Sequence, residues 1–170
     1  MAEPQRPERP WALTGAKDRP KNVITSLFLG AAKLEQINLQ LQALYREIEA
    51  NEVRYAEYLL DDADIVIVAY GTAGRIVQTA VKRAREMGIK AGLFRPVTVY
   101  PFPYDRLRDI AEGARQVLVV EMSAGQMLED VRLATRDAVP IRFFGKPGGV
   151  VPLPEDVLQE IKAVANQAAT

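Results

Sequence analysis

The 170 residues contain neither cysteine nor histidine. That absence excludes thiolate catalysis, Ser–His–Asp triads, histidine–zinc sites and every cysteine-ligated iron–sulfur cluster. A redox centre serving this chain has to sit on another one. The chemistry left is that of carboxylates, Lys, Tyr, Ser, Thr and backbone N–H groups. Charge of one sign is also missing. Basic and acidic residues number 22 each, so no nucleic-acid footprint or membrane-surface patch is expected. No apolar run approaches the ~20 residues of a spanning helix. The opening segment, MAEPQRPERP, lacks the apolar core of a secretory signal. These features give a cytoplasmic expectation.

What is present is organised around residues 64–75, DIVIVAYGTAGR. Ile65–Val68 is a short β-branched apolar run, as in a strand buried on both faces of a parallel sheet. It leads through Gly71 and Gly74 into an amphipathic helix over 73–87, with Ile76, Val77, Ala80, Val81, Ala84 and Met87 on one face. Strand, glycine turn and helix open a βαβ unit. The pattern then repeats. Strands are predicted at 90–94, 116–121 and 140–144, with helices at 104–112, from Ser123 onward, and at 154–166. The fold class is α/β, an open, mainly parallel sheet with helices on both faces.

Ahead of it, Leu34, Ile37, Leu41, Leu44, Ile48, Asn51, Tyr55 and Tyr58 fall at steps of three and four, which predicts one long helix over 31–60. At ~1.5 Å per residue it would span ~45 Å, more than packing across one small sheet requires, so it reads as a connector or interface helix. Before it lies a proline-rich arm with Pro4, Pro7, Pro10 and Pro20, extended because proline fixes φ and withholds a donor. Its Trp11 is either part of a loose tail or an anchor on a neighbouring subunit. The expected division is an arm at 1–30, a connector helix at 31–61 and an α/β domain at 62–170.

Ligands in such sheets bind beyond the carboxyl ends of the strands. In the 70–75 loop, helix-start N–H groups and Arg75 could hold a phosphate. Yet Gly71 and Gly74 give G-x-x-G rather than a dinucleotide fingerprint, and Arg95-Pro96 stands where a ribose-binding acid belongs. The plainer reading is a tight turn at Gly71 with Thr72 capping the helix. In the 121–126 loop, Ser123 and Gln126 have capping-box spacing. Glu121 is not explained by that, and a buried carboxylate needs partners; Arg75 and Arg95 are the expected ones. The 145–149 loop holds Lys146 among glycines without phosphate-loop spacing. Tyr100 and Phe102, between prolines, suit a subunit interface. Arg75, Arg95, Tyr100, Phe102, Glu121, Gln126 and Lys146 are therefore interface or ligand-loop candidates. No catalytic, cofactor-binding or metal-binding residue is assigned.

Taken together, VAYGTAGR at 68–75, GLFRPVTVYPFP at 92–103, VVEMSAGQMLEDVR at 119–132 and FFGKPGGVVP at 143–152, with WALTG at 11–15 and NEVRYAEY at 51–58, resemble the C-terminal half of the alpha subunit of 2-oxoacid:ferredoxin oxidoreductases. The branched-chain (2-oxoisovalerate) branch is the nearest in pattern, and the 2-oxoglutarate enzymes share most of these strings. The resemblance implies a transketolase C-terminal-like domain. It implies membership of an enzyme that uses thiamine diphosphate to decarboxylate a 2-oxoacid, reduces ferredoxin through iron–sulfur clusters and releases an acyl-CoA. Thiamine diphosphate, magnesium and the clusters are then expected on partner chains or domains and none on this chain alone. The implied partners are beta and gamma/delta type chains and the N-terminal alpha half, with ferredoxin reached indirectly. A homodimer through the 31–60 helix is a further possibility. The competing reading is a free-standing module for a phosphate-bearing ligand such as CoA or a nucleotide.

Overall fold

The computed structural model describes residues 8–167. Two compact units divide the chain, Met1–Leu44 and Tyr45–Thr170. Part of the expected arm, residues 1–7, lies outside the described residues. In the first unit, residues 8–30 carry no strand or helix, and their loop closes on itself through side chains. The Asn22 amide donates to the carbonyls of Pro10 (2.6 Å) and Ala12 (3.0 Å). Trp11 is 60 % exposed.

The long helix is shorter than its periodicity predicts. α1 is Ala31–Asn51, and the chain then forms a strand, β1, Tyr55–Tyr58. The stripe misleads because steps of three and four can run on by chance from a helix face into a strand. On a strand, residues three apart point to opposite faces. Tyr55 stacks on Phe94 at 5.4 Å, whereas Tyr58 packs against the core on the other side of the sheet. Thr98 fixes the turn from helix to strand: its hydroxyl accepts the Arg54 N–H at 3.0 Å, and the Arg54 carbonyl accepts from the N–H groups of Val97 and Thr98.

The remaining elements follow the expected alternation with ends shifted by at most three residues. They are β2 Ile65–Ala69, α2 Gly71–Glu86, β3 Ala91–Pro96, α3 Tyr104–Glu112, β4 Gln116–Glu121, α4 Gln126–Thr135, β5 Ile141–Gly145 and α5 Pro154–Gln167. The sheet order is β1-β3-β2-β4-β5. β1 is antiparallel to β3, and every other pairing is parallel. Every residue of β2 is buried, as its unbroken apolar run requires. Ile65, Ile67, Leu93, Leu118 and Val120 meet α2 and α5 on one face. Val66, Val68, Phe94, Val117 and Val119 meet α3 and α4 on the other. The helices do cover both faces.

One glycine is fixed by its surroundings. A Cβ on Gly92, in β3, would collide with the carbonyl oxygen of Leu59 and lie 2.8 Å from Leu60 Cδ2. Backbone cannot swing aside as a side-chain tip can. Gly92→Ala is expected to cost about 2–3 kcal/mol, read in thermal unfolding as a fall of roughly 4–12 °C.

Candidate functional site

The chain passes from β2 to β3 on one side, then returns over β2 to β4 on the other. The crevice between the carboxyl ends of β2 and β4 is thus the topological switch point, the usual ligand position. A buried carboxylate stands at its β4 side. Glu121, the last residue of β4, is 0 % exposed. Its Oε2 accepts from Ser123 Oγ at 2.5 Å and from the Met127 N–H at 3.1 Å. Its Oε1 accepts the Leu128 N–H at 3.0 Å. Three donors and the positive end of α4 stabilise a carboxylate that would otherwise be costly to bury.

Two expectations are corrected by this geometry. Neither Arg75 nor Arg95 lies within ion-pair distance of Glu121 among the described residues; Glu121 draws on helix N–H groups instead of guanidinium groups. Nor do Ser123 and Gln126 form a capping box. Ser123 turns back to Glu121, Gly125 takes the N-cap position at φ 107° without a side-chain cap, and Gln126 is exposed. Glu121 does the capping from across the loop. The readable signal is an acid closing an apolar strand ahead of a Ser-Ala-Gly turn. It suggests a cationic partner, but the nearer donors are in the next helix.

At β2 the chain enters α2 directly. Gly71 takes φ 55°, which agrees with the tight-turn reading. Tyr70 holds the N-cap position without a side-chain hydrogen bond, so Thr72 does not cap. Gly74 has a packing role: a Cβ there would stand 3.1 Å from the Ala69 carbonyl oxygen and 3.2 Å from Cδ and Nε of Arg95. Arg95 therefore lies across the first turn of α2. Its Nε is buried without a partner among the described residues. Arg75 is exposed on the same helix.

The loop 97–103 divides its two aromatics. Phe102, expected at an interface, is 4 % exposed and belongs to the core beneath α3 and α4. Its ring meets Tyr104 at 5.0 Å. Alternating prolines bound a segment that folds inward at Phe102, which composition alone does not reveal. Tyr100 is 59 % exposed. It lies edge-on to Tyr45 at 6.4 Å, and its hydroxyl donates to Glu49 at 3.1 Å. Val97 and Val99 are exposed beside it. A cleft of about 630 Å³ opens here, with Glu49, Val53, Tyr100, Tyr104 and Arg106 among its walls.

Tyr104 gives this cleft a titration signature. Its hydroxyl donates to Asp130 at 2.6 Å. Desolvation first, and the Asp130 hydrogen bond second, push its pKa up to about 12. A raised pKa means that the folded state favours the neutral phenol. The contribution to stability is complete below the ordinary tyrosine value near pH ~10 and disappears as pH rises through 12. The difference in ultraviolet phenolate absorbance between the wild type and Tyr104→Phe is expected to titrate with a midpoint near 12.

Lys146 is not left open for a ligand. Its ammonium lies 3.0 Å from the Asp156 carboxylate and 5.7 Å from the centre of the Phe144 ring. Asp156 also accepts the Leu153 N–H at 3.1 Å. The Leu153 hydrogen bond, then that of Lys146, holds the Asp156 pKa below the usual carboxylate range. The Lys146 N–H donates to the Glu121 carbonyl. Glu121, Gln126 and Lys146 therefore cluster at the β4–β5 end, while Tyr100 sits on the loop after β3.

Residues 63–157 match the family model described as pyruvate:ferredoxin oxidoreductase core domain II. The chain is 46 % identical to the ketoisovalerate oxidoreductase subunit VorB of Methanothermobacter thermautotrophicus, over 99 % of this chain and 50 % of that one. The chain belongs to the 2-oxoacid:ferredoxin oxidoreductase family. The 2-oxoglutarate synthase subunit KorA of Methanothermobacter marburgensis is 41 % identical over 59 % of this chain and 27 % of its own. A 2-oxoglutarate:ferredoxin oxidoreductase from Magnetococcus marinus, solved with 2-oxoglutarate, coenzyme A and succinyl-CoA bound, superposes with TM-score 0.68. It does so at 19 % identity, covering 80 % of this chain and 24 % of its own. A split-gene transketolase, solved as an inactive beta4 tetramer, superposes with TM-score 0.56 at 19 % identity, covering 65 % of this chain and 40 % of its own. These two likenesses establish a transketolase-like fold. The chain spans about half the length of the VorB relatives it matches.

For a domain of this oxidoreductase family, the cofactor question becomes one of donor sets. No Cys or His exists anywhere in the sequence to ligate an iron–sulfur cluster. Among the described residues, no group of three or more carboxylates is placed to hold a metal such as the magnesium of thiamine diphosphate. Glu121 fills the start of α4, where an anion would otherwise be drawn. Among the described residues no donor set for a cluster or a metal is found, and no catalytic step is routed through these groups.

Proposed function

We propose that this chain is a structural, subunit-interface part of a thiamine-diphosphate-dependent 2-oxoacid:ferredoxin oxidoreductase and is not catalytic alone. The whole enzyme would decarboxylate a 2-oxoacid oxidatively, form an acyl-CoA and reduce ferredoxin. The observation that carries the reading is identity with VorB sustained over nearly the full chain. The proposed substrate branch is accordingly 2-oxoisovalerate. Beta and gamma/delta type chains and an N-terminal alpha half are the proposed partners, and ferredoxin is engaged through them. A cytoplasmic location is proposed; no described helix is long and apolar enough to cross a membrane.

The internal engagement of Glu121 and Lys146 supports a scaffold over an active site. Arg75, Arg95, Tyr100 and Gln126 remain the proposed contact residues, with Tyr100 the principal one because a solvent-facing aromatic is an efficient anchor. Reconstitution tests the reading: partner chains are assayed for 2-oxoisovalerate-dependent ferredoxin reduction with and without this chain. The expected result is activity only when it is present. Full activity without it would overturn the proposal. The phosphate-ligand alternative predicts a thermal shift on adding CoA to the isolated chain, and none is expected.

A further inference from the structure

One apolar surface, on α1 and the segment before it, is left open. α1 extends for 21 residues and buries none of them. Leu34, Ile37, Leu41, Leu44 and Ile48 form its apolar stripe, and Leu34, Leu41 and Leu44 are 41, 40 and 48 % exposed. Just before the helix, Val23, Ile24, Leu27 and Leu29 are 81, 62, 71 and 89 % exposed. Residues 21–29 hold no regular element. Scattered apolar residues on a surface are ordinary, but a continuous series of this length marks a contact site.

We propose that residues 22–48 are a docking strap that seats in an apolar groove of a second protein domain, carried by the part of a VorB-type subunit that this chain does not span. The inference rests on the subunit reading proposed for the whole chain. The relatives supply such a domain, since they hold as much chain again as this one matches. A second copy of this chain fits less well. The stripe from Leu34 to Ile48 is two heptads long, whereas a self-sufficient coiled coil needs about three or four. Asn51 then breaks it, its amide donating to the Glu47 carbonyl at 2.8 Å. A short amphipathic helix does suffice when a preformed groove reads its anchors at steps of three and four. Lys33, Glu35, Arg46 and Glu47 mix both signs on α1, without the basic polar face of a membrane-surface helix.

The test mixes the whole chain with the half of the Methanothermobacter thermautotrophicus VorB chain that it does not span, and follows complex formation by light scattering and titration calorimetry. A one-to-one complex is expected. Leu34→Lys with Leu41→Lys, and separately Val23→Asp with Leu27→Asp, should each weaken it by about tenfold or more. The unfolding midpoint of the α/β unit should stay unchanged. A complex that survives both variant pairs removes the strap and leaves the subunit reading standing. No complex with the wild-type chain counts against the subunit reading itself. A wild-type homodimer that the Leu34/Leu41 pair dissociates makes a second copy the occupant and overturns the proposal.

Discussion

Glu121→Ala is expected to lower the thermal unfolding midpoint by roughly 6–20 °C, the equivalent of about 3–5 kcal/mol. The variant strips acceptors from the N–H groups of Met127 and Leu128 and from the Ser123 hydroxyl. Buried donors left unpaired cost about 1–3 kcal/mol each, and the space vacated by a fully buried side chain adds a cavity term. Glu121→Gln separates a capping role from a catalytic one. Its amide keeps one acceptor oxygen but turns an NH₂ toward a donor, so a loss of about 2–3 kcal/mol is expected. A general acid would behave differently, with folding near wild type and activity gone. Differential scanning calorimetry decides between them. A Glu121→Ala midpoint within a degree or two of the wild type would contradict the capping account.

The second large effect separates two residues that stand almost side by side in the sequence. Phe102→Ala is expected to destabilise the α/β unit by about 3–5 kcal/mol, as for a large core aromatic truncated among well-packed neighbours. It belongs to the same buried α3–α4 core as Val68, Phe94, Leu107 and Met127. Tyr100→Ala should leave the midpoint nearly unchanged, because its main polar contact is an exposed hydrogen bond to Glu49. It should instead weaken binding to the proposed partner chains by about 30-fold, the range of an aromatic interface anchor. Denaturant unfolding and a binding titration, run on both variants, give the comparison. Equal stability losses would remove Tyr100 as a contact residue.

The α/β core was legible because its signals agree with one another. An unbroken β-branched run at 65–68, glycines at the turns and helical spacing from Ile76 to Ala84 all describe a parallel sheet between helices. The end of α1 was not legible. A helix stripe running into a strand keeps plausible spacing through Tyr55 and Tyr58, and only pairing with β3, remote in sequence, settles the conformation. The loops were the least legible. Glu121 is an acid at a strand end whether it serves chemistry or caps a helix, and the choice depends on where the N–H groups of Met127 and Leu128 point. Phe102 and Tyr100 share a proline-bounded composition, yet one enters the core and the other faces solvent. Nothing in the order of residues distinguishes them.

The central claim, that this chain works as a docking part of a larger oxidoreductase, is tested most directly by affinity purification of the tagged chain from its native cells. The co-purifying chains are identified by mass spectrometry, and a visible spectrum of the eluate is recorded. The account predicts a brown eluate containing a thiamine-diphosphate-binding chain, iron–sulfur chains and the remaining half of the alpha subunit. A colourless eluate holding this chain alone would contradict it.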